Sequence, residues 1–501
     1  MPNKHLNIFF RAFAYNVLRR IPFCGKFVGE CFRYAAEVAM EASVCRFYIC
    51  GIPILTLRQL DEVTSFELGK GLPILSVKQS STKLCGYIGP LEVFKIRFLG
   101  PRPIPSIPPS FIPVQRKTKK IFLNIGRLHK NDGQYGIARV ALCLYTALRK
   151  LCPQGYEVWP VYATAKQAGF LYANRYVRRH FEEAEVIDRD YPIELSRGDV
   201  FIDIVADIDM IPLQKKACVA MREAGVKVFA MCHDLIPISH PQYIERSLQK
   251  QFPIWLQTIS AYDGVISPSS TVAEEYRLWR NRKWPNSSNE FLIDWFHLGA
   301  DFNKVANSVG MPDSAKTTFA AMQARPSLLE VSTIEPRKGH RQALAAFEQL
   351  WAKGVEINYV IVGNKGWLMD DFVNELEKHP ELNKRLFWLR GISDEYLNKI
   401  YDAASAVLFP SEAEGFGLAV VEGAMHGKPL ILRDLPVFRE IAGKHATYFS
   451  GLEPQSLVDC LERWLEDFKK NKVISTDGIK PLTWEESAKM FLSRLPLMKR
   501  E

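Results

Sequence analysis

Residues 410–424 of this 501-residue chain are PSEAEGFGLAVVEGA. They follow a four-residue apolar run, residues 406–409, which is short enough to be one buried strand. A helical pattern begins at Leu418 and ends before Gly427. A strand, a glycine-containing loop and a helix in this order direct free backbone N–H groups and the positive end of the helix dipole beyond the strand. The segment therefore predicts an anion site, best suited to a diphosphate, at the backbone of Phe416, Gly417 and Leu418.

Two carboxylates, Glu414 and Glu422, lie on either side of the predicted anion site. If the segment between them is helical, their backbones are about 12 Å apart. The carboxyl groups that cleave one glycosidic bond lie about 5–10 Å apart. The spacing disfavours a hydrolase pair, although the reach of the side chains leaves that alternative open. It favours two acceptors that bind separate hydroxyl pairs of one long ligand, such as a sugar and a ribose.

The segment from Glu414 to Glu422 resembles the signature of the family 4 retaining glycosyltransferases, which have the GT-B fold. The resemblance implies that Glu414 holds the donor sugar and that Glu422 holds the ribose. It also implies that the diphosphate binds to the backbone of four residues, Gly415, Phe416, Gly417 and Leu418. The alternative is a pair of solvated helix glutamates.

A second motif, Glu335-Pro336-Arg337-Lys338-Gly339, follows a predicted strand at residues 328–332. It resembles the donor loop of the same family, which assigns Arg337 and Lys338 to the phosphates as candidate catalytic residues. Two cations beside a helix start would offset charge on a leaving group. Ser332 stands where some members of the family carry an arginine, so the number of cations at the phosphates stays open. A solvated basic turn is the alternative.

Gly133, Gly136 and Arg139 follow the first predicted strand of the catalytic body, where ligands of doubly wound sheets bind. They resemble the family's Gly-Ile-x-Arg segment. This resemblance implies that the two glycines contact the donor and that Arg139 contacts the acceptor. A plain turn with a surface arginine is the alternative.

His233 follows a predicted strand at residues 227–231, where a histidine can reach the cleft. By resemblance it lies near the reacting sugar carbon, as a candidate catalytic residue. Asp234 is predicted to cap the next turn and is also a candidate for acceptor binding. Asp207-Ile208-Asp209 has the form of an Asp-x-Asp metal motif without its context, so we predict a loop or helix start there and no metal site.

Two later strand ends, marked by Gly363 and Ile392, are expected to border the nucleobase by resemblance to the family. Trp367 is predicted to be a core aromatic residue rather than a base-stacking one. The segments Arg337–His340, Gly363–Trp367 and Arg433–Glu440 resemble a bacterial subgroup that is linked to O-antigen and other surface polysaccharides.

The length predicts two or three domains, and the apolar content of 47% supplies ample material for their cores. The ten cysteines contain no Cys-x-x-Cys pair, so we expect neither a zinc site nor a disulfide framework. Free cysteines of this kind are typical of a reducing cytosol. The sequence shows no secretory signal and no uncharged apolar run long enough to cross a bilayer. A cytoplasmic location is therefore expected, with peripheral attachment to the inner face of the cytoplasmic membrane as an extension of it.

The positive charge is concentrated near the N-terminus. Residues 1–120 contain 18 Lys and Arg against 7 Asp and Glu, so the rest of the chain has a net charge of −1 out of the total of +10. This distribution argues against nucleic acid as a partner and favours an anionic membrane surface near the N-terminal segment.

Strands alternate with helices in both halves of the catalytic body, which predicts an α/β fold with two doubly wound parallel sheets facing a cleft, as in GT-B. We assign residues 1–115 to a basic extension with a proline-rich linker, and residues 116–310 to a Rossmann-like acceptor domain. Residues 311–480 form a Rossmann-like donor domain, and residues 481–501 a helix that crosses back to the first domain. Residues 302–326 are expected to hold the crossover between the two domains.

Within the extension, residues 6–18 have the pattern of a basic amphipathic helix, which lies either in a bilayer interface or against the catalytic body. Residues 27–48 have helix-like spacing, and residues 51–100 have the pattern of short strands or turns.

These observations predict a retaining, metal-independent transfer of a hexose from a nucleotide diphosphate sugar to a lipid-linked glycan or oligosaccharide acceptor. The residues do not identify the donor; the resemblance to the bacterial subgroup implies GDP-mannose as the favoured co-substrate, followed by a deoxyhexose donor, and no cofactor is expected. One alternative is a catalytically inactive GT-B scaffold or nucleotide-sugar-binding protein. The other is a phosphorylase or epimerase on the same fold.

Overall fold

The structure is a computed structural model that describes strands within residues 36–97, and then residues 112–129, 136–181, 187–285, 290–302 and 308–497. The chain divides into two compact units, Met1–Pro105 and Ser106–Glu501. The predicted amphipathic helix at residues 6–18 and the proline-rich segment at residues 101–111 lie outside the described residues.

The first unit contains seven strands in chain order, and each pairs in antiparallel fashion with the next. They are β1 (Ala36–Glu41), β2 (Val44–Ile49), β3 (Ile52–Leu60), β4 (Val63–Leu68), β5 (Leu72–Ser80), β6 (Lys83–Ile88) and β7 (Leu91–Arg97). The prediction of a helix at residues 27–48 was wrong over β1 and β2. The run Val44-Cys45-Arg46-Phe47-Tyr48-Ile49 is rich in β-branched and aromatic residues, which favour strands.

A repeat of about 20 residues underlies this sheet, and the sequence analysis did not identify it. Gly51-Ile52-Pro53-Ile54-Leu55 is followed 20 positions later by Gly71-Leu72-Pro73-Ile74-Leu75. The strands β3 and β5 begin at the second residue of each copy. Comparing the two segments would have predicted the hairpins.

The first half of the second unit is built on a seven-stranded sheet with the order β11-β10-β9-β13-β14-β15-β16. All neighbours are parallel except β10 and β11. The strands are β9 (Lys119–Asn124), β10 (Tyr156–Ala163), β11 (Phe170–Tyr172), β13 (Val200–Asp203), β14 (Lys227–Met231), β15 (Gly264–Ser267) and β16 (Leu292–Trp295). A separate parallel pair consists of β8 (Ile112–Pro113) and β12 (Glu194–Leu195).

Helices cover the faces of this sheet. They are α1 (Gly136–Lys150), α2 (Asn174–Phe181), α3 (Lys215–Glu223), α4 (Ile236–Ser239), α5 (Arg246–Ile259) and α6 (Ser270–Lys283). Short 3-10 helices lie at Gly126–His129, Pro212–Gln214 and Pro241–Tyr243. The central strands are apolar runs without alternation because both faces of the sheet are covered.

The second half has a six-stranded, fully parallel sheet with the order β19-β18-β17-β20-β21-β22. The strands are β17 (Ser327–Val331), β18 (Asn358–Val362), β19 (Leu386–Leu389), β20 (Ala406–Phe409), β21 (Leu430–Arg433) and β22 (Thr447–Phe449). In both sheets the order reverses beside the first strand, which creates a crevice at the carboxyl ends of the strands. This arrangement confirms the predicted fold class.

The helices of the second half are α7 (Ala315–Ala324), α8 (His340–Ala352), α9 (Asp370–Lys378), α10 (Asp394–Ala403), α11 (Leu418–Met425), α12 (Pro436–Ala442), α13 (Pro454–Lys469) and α14 (Trp484–Arg494). A 3-10 helix covers Pro336–Lys338. The segment that was predicted to hold the crossover contains α7, which packs its Ala315 and Met322 into the core of the second half. No helix in the described part of the chain is long and apolar enough to cross a bilayer.

The last helix, α14, returns to the first half and packs against α1. It begins with a capping box formed by Thr483 and Glu486. The backbone N–H of Trp484 donates to Asp301 Oδ1 at 2.7 Å, and Ser487 Oγ donates to the carbonyl of His297 at 2.7 Å. The buried Trp484 and Phe491 therefore extend the core of the first half.

Candidate active site

Two loops meet where the strand order of the second sheet reverses. One follows β17 and contains residues 332–339, and the other follows β20 and contains residues 410–417. The backbone N–H of Glu412 donates to the carbonyl of Arg337 at 2.7 Å. Gly339 has a φ of +79°, and a Cβ there would lie 2.3 Å from the carbonyl oxygen of Pro410. Only glycine permits this approach, and it brings the two predicted motifs into one site.

Glu414 is the electrostatic centre of this site. Its carboxylate accepts hydrogen bonds from Lys338 Nζ at 2.6 Å and from Arg337 Nη1 at 3.0 Å. Burial alone would raise the pKa of Glu414, but the charges of Lys338 and Arg337 outweigh it and lower the pKa to about 2. Glu414 is therefore ionised at neutral pH. Glu414 was predicted to bind the sugar, and Lys338 and Arg337 to bind the phosphates. In the structure the three side chains contact one another.

Two further carboxylates surround Arg337. Its Nε lies 3.2 Å from Glu335 Oε2. Burial raises the pKa of Asp234, and the nearby charge of Arg337 opposes that rise. Asp234 Oδ1 also accepts a hydrogen bond from the backbone N–H of Ile236 at 3.0 Å, which confirms the predicted cap at the start of α4. The site therefore holds its cations by several acidic partners before any anionic ligand is bound.

His233 and Asp234 reach this site from the first half because Gly415 lacks a side chain. A Cβ at Gly415 would lie 2.1 Å from the carbonyl oxygen of His233. His233 Nε2 is 2.9 Å from the carbonyl of Ile204, which can only accept, so Nε2 carries the hydrogen. Burial lowers the pKa of His233, which favours the neutral ring. A neutral histidine with its Nδ1 as acceptor therefore lies where the two halves touch.

The helix α11 begins at Leu418, four residues after Glu414, and Gly417 is its N-cap residue. This residue has a φ of +92°, and a Cβ there would lie 2.8 Å from the ring of Phe438. The ring of Phe416 is buried with its centroid 5.7 Å from that of His297. Phe438 and His297 therefore pack against the loop that contains the predicted anion-binding backbone of Phe416, Gly417 and Leu418.

Glu422 lies about one turn into α11 and lines a different pocket. Its Oε2 accepts a hydrogen bond from Tyr401 OH at 3.0 Å. Burial raises the pKa of Glu422, and the charge of Arg139 opposes that rise. Arg139, which was predicted to bind the acceptor, lies in the same pocket, with its Nη2 3.3 Å from Asp394 Oδ1. The structure thus places Arg139 beside the predicted ribose-binding carboxylate.

The remaining residues that were predicted to bind the donor are Gly363, Ile392, Gly136 and Gly133. A Cβ at Gly363 would lie 1.9 Å from the carbonyl oxygen of Ser332, so this glycine permits the ends of β17 and β18 to pack closely. Ile392 is half-buried two residues before α10. Gly136 is the exposed first residue of α1, and Gly133 lies outside the described residues.

Trp367 connects the two halves. Its Nε1 donates to the carbonyl of Tyr243 at 2.8 Å, and its ring packs with Ile236, Ile244 and Ala413. This confirms a packing role. Asp207 and Asp209 lie in a loop and turn, as predicted, and Asp209 pairs with Arg127. No cluster of three or more His, Cys, Asp or Glu in the described residues is arranged to hold a metal.

A buried polar network next to the loop of residues 332–339 was missed. Glu330 Oε2 accepts a hydrogen bond from Tyr359 OH at 2.5 Å, and Glu330 Oε1 lies 2.9 Å from His340 Nδ1. The hydroxyl of Ser332 lies 3.1 Å from His340 Nε2. The available signal was a glutamate inside the apolar run Leu328-Leu329-Glu330-Val331, because a charge in a buried strand requires partners.

Glu440 was also missed, although its motif had been noted. Its carboxylate accepts hydrogen bonds from the backbone N–H of Ser270 at 2.7 Å, and from the backbone N–H and hydroxyl of Thr271 at 2.9 and 2.7 Å. His297 Nε2 lies 2.8 Å away. Burial alone would raise the pKa of Glu440, but these hydrogen bonds lower it to about 2. A carboxylate of the second half thus caps α6 of the first.

Comparison with known proteins gives a family match for the second half and relatives that extend over most of the chain. Residues 318–480 match the model described as glycosyl transferases group 1. Serotype-specific mannosyltransferase WbdA of Escherichia coli is 40% identical over 387 residues, which are 77% of this chain and 46% of WbdA. O-antigen chain mannosyltransferase RfbU of Salmonella typhimurium is 27% identical over 224 residues, or 45% of this chain and 57% of RfbU. The chain spans about half the length of the curated relatives it matches.

Two solved structures share the fold. HepE of Anabaena, in complex with UDP and glucose, gives a TM-score of 0.51 at 15% identity and covers 75% of this chain and 100% of its own. Sucrose-phosphate synthase of Thermosynechococcus elongatus gives a TM-score of 0.52 at 16% identity, and the match covers 75% of this chain and 98% of the synthase chain. The fold is GT-B, and within it residues 318–480 of the second half match the glycosyl transferases group 1 model.

Proposed function

We propose that this protein is a retaining glycosyltransferase that moves a hexose from a nucleotide diphosphate sugar to a glycan acceptor in O-antigen or other surface-polysaccharide biosynthesis. The observation that carries the proposal is the cluster of Glu414, Lys338 and Arg337 beside the N-terminus of α11. It combines a carboxylate that can hold sugar hydroxyls with two cations and a set of backbone N–H groups suited to a diphosphate.

In the proposed reaction, the bond between the anomeric carbon and the diphosphate oxygen breaks, and a bond from that carbon to the acceptor oxygen forms. The departing diphosphate takes the electron pair of the broken bond and so gains negative charge, and it accepts the proton that the acceptor hydroxyl releases. Lys338, Arg337 and the first backbone N–H groups of α11 stabilise that charge as it grows. Glu414 and His233 position the sugar, and Glu422 binds the ribose. Side chains and backbone thus supply the positive charge, which supports a reaction without a metal or cofactor.

GDP-mannose is the proposed donor, because the E. coli and Salmonella relatives are named mannosyltransferases. A deoxyhexose donor is the second choice. The proposed acceptor is a lipid-linked glycan or oligosaccharide, which is consistent with a cytoplasmic location and with an anionic membrane surface as a partner of the basic residues 1–120. A nucleotide-binding scaffold without catalysis would share the pocket but not the transfer.

The experiment is a transfer assay with GDP-mannose and an oligomannose acceptor, with the anomeric configuration of the product read by NMR. We expect product of the same configuration as the donor, with and without EDTA. The Lys338→Ala variant should lose roughly 100-fold or more in rate, as when one group that stabilises transition-state charge is removed. Lys353→Ala, which removes an exposed lysine paired with Glu462, is the matched control. Nucleotide binding without transfer to any acceptor would favour the scaffold.

A further inference from the structure

A pocket with an empty volume of about 360 Å³, which includes open solvent, lies between the two halves at Glu422. The second half contributes Glu422, Tyr401 and Asp394, and the first half contributes Arg139 and Phe302. Tyr401 stacks on His426 with the ring planes 7° apart and the centroids 4.8 Å apart. The pocket therefore combines a flat aromatic wall with a half-buried carboxylate and a cation.

Arg139 belongs to α1, yet its guanidinium faces the second half. It stacks over the ring of Phe302 at 4.5 Å and contacts Asp394. The Nη2–Oδ1 distance of 3.3 Å is longer than the 2.7–2.9 Å that is typical of charge-assisted hydrogen bonds. Asp394 makes shorter bonds to Ser308, whose N–H and hydroxyl donate to its Oδ2 at 3.0 and 2.8 Å. Asp394 is thus fixed by Ser308, whereas its hold on Arg139 is weak.

A guanidinium held weakly beside a carboxylate is suited to exchange one anion for another. The fork of N–H donors on arginine matches phosphate, and the exchange costs little because the cation is partnered before and after it. Glu422 faces the same pocket, and a carboxylate can accept hydrogen bonds from the two neighbouring hydroxyls of a ribose. In a nucleoside diphosphate the ribose is directly bonded to a phosphate. One ligand can therefore reach Glu422 and Arg139 together.

We propose that Arg139 binds the donor rather than the acceptor, and that the first half uses it to contact the ribose–phosphate part of the nucleoside diphosphate opposite Glu422. This inference rests on the proposed function, because it requires a nucleotide donor. It makes nucleotide binding a contact of both halves, with Glu422 from α11 on one side and Arg139 from α1 on the other. Asp394 holds the guanidinium until the nucleotide arrives.

The test is calorimetric titration with GDP, UDP, CDP, dTDP and ADP in the absence of any acceptor. For the nucleotide that binds the wild type, Arg139→Ala should weaken binding about 10- to 100-fold, the effect of losing one hydrogen bond to a charged group. Arg139→Lys should also bind more weakly, because an ammonium lacks the planar fork. Asp394→Asn should bind as tightly as the wild type or more tightly, since Arg139 no longer has to leave a carboxylate.

Lys150→Ala is the matched control, because Lys150 lies in the last turn of α1 and its side chain is 66% exposed. It should bind nucleotide as the wild type does. If Arg139→Ala and Arg139→Lys bind nucleotide within twofold of the wild type, and instead raise the KM for the acceptor, Arg139 is an acceptor residue and the inference is overturned while the proposed function stands. If the wild type binds none of the five nucleotides, both are overturned.

Discussion

Glu414 is the residue whose ionisation the structure constrains most clearly. Its pKa of about 2 lies below the ordinary 4.5 because Lys338 and Arg337 outweigh the effect of burial. A carboxyl group with a lower pKa in the folded state binds fewer protons there than in the unfolded chain, so it stabilises the protein above its unfolded pKa. That contribution is lost as the pH falls from about 5 towards 2. Burial raises the pKa of Glu422, so its contribution to stability has the opposite pH dependence: it is present at low pH and is lost as the pH rises.

The prediction is a difference in pH dependence between two variants, Glu414→Gln and Glu422→Gln. The free energy of unfolding of the wild type should exceed that of Glu414→Gln most at pH 5 and above, and the gap should shrink towards pH 3. Relative to Glu422→Gln, the wild type should instead lose stability as the pH rises from 3 to 6. Urea denaturation at four pH values measures both. Parallel curves for the two variants would contradict these assignments.

The buried network of Glu330 and Tyr359 gives a second prediction at this scale. Tyr359→Phe removes a donor from a buried carboxylate and should lower the free energy of unfolding by about 1–3 kcal/mol. Tyr396→Phe is the matched control, because the Tyr396 hydroxyl is buried and has no hydrogen-bond partner among the described residues, so its removal should be neutral or stabilising. Equal effects of the two changes in urea denaturation would show that the Glu330 network contributes nothing.

Sequence reasoning succeeded for residues within recognisable loops and failed for their distant partners. The two motifs around Lys338 and Glu414 predict one anion site because parallel strands place their carboxyl ends along one edge. Nothing local to Arg139 shows that it faces Asp394, which is 255 positions away. The partners of Glu440 and Glu330 are likewise set by tertiary packing. The role of Glu422 on a ribose stays a prediction.

Among the elements, α6 shows how the second half stabilises the first. Its Ncap residue, Ser269, accepts from the N–H of Val272 at 3.2 Å and donates to the carbonyl of Gly415 at 2.8 Å. Glu440 satisfies the next N–H groups, those of Ser270 and Thr271. The first turn of this helix therefore obtains a carboxylate that complements its dipole from α12 rather than from its own sequence.

Glu440→Ala should lower the free energy of unfolding by about 3 kcal/mol, because it leaves several hydrogen-bond donors of a partly buried carboxylate site without their acceptor. Thermal and urea unfolding measure this loss. Asp434→Ala is the control from the same segment, because Asp434 makes an exposed pair with Arg439 that is worth about 0–1 kcal/mol. Losses of the same size in the two variants would contradict a capping role for Glu440.

Short, unbroken apolar runs made the central strands of both sheets of the second unit predictable, since a strand buried on both faces contains few polar residues. The sequence did not predict α7, β1 and β2 correctly. The helix α7 has a sequence, AKTTFAAMQA, in which small and polar residues leave only a weak apolar stripe. The apolar residues of β1 and β2 also fit a helical spacing over a short segment, so their pattern predicts a helix.

At the scale of the whole molecule, the two halves of the second unit are joined at several points around the cleft. Glu440 accepts hydrogen bonds from the first turn of α6, and Trp367 donates one to Tyr243. The backbone of Gly415 packs closely against that of His233, and α14 packs against α1. These contacts hold Glu414, Lys338 and Arg337 against His233. Contacts between segments so far apart in the sequence could not be predicted from it, although the alternation of strands and helices predicted both sheets.

The most direct test of the account is the thermal stability of the purified protein against GDP, UDP, CDP, dTDP and ADP, with Glu422→Ala measured beside the wild type. A ligand at 100 times its Kd stabilises the folded state by about 2.7 kcal/mol, a readily visible rise in Tm. We predict that one nucleotide, GDP first, raises the Tm of the wild type and raises that of Glu422→Ala much less. No rise with any nucleotide would contradict the assignment of this cleft to a nucleotide-sugar donor.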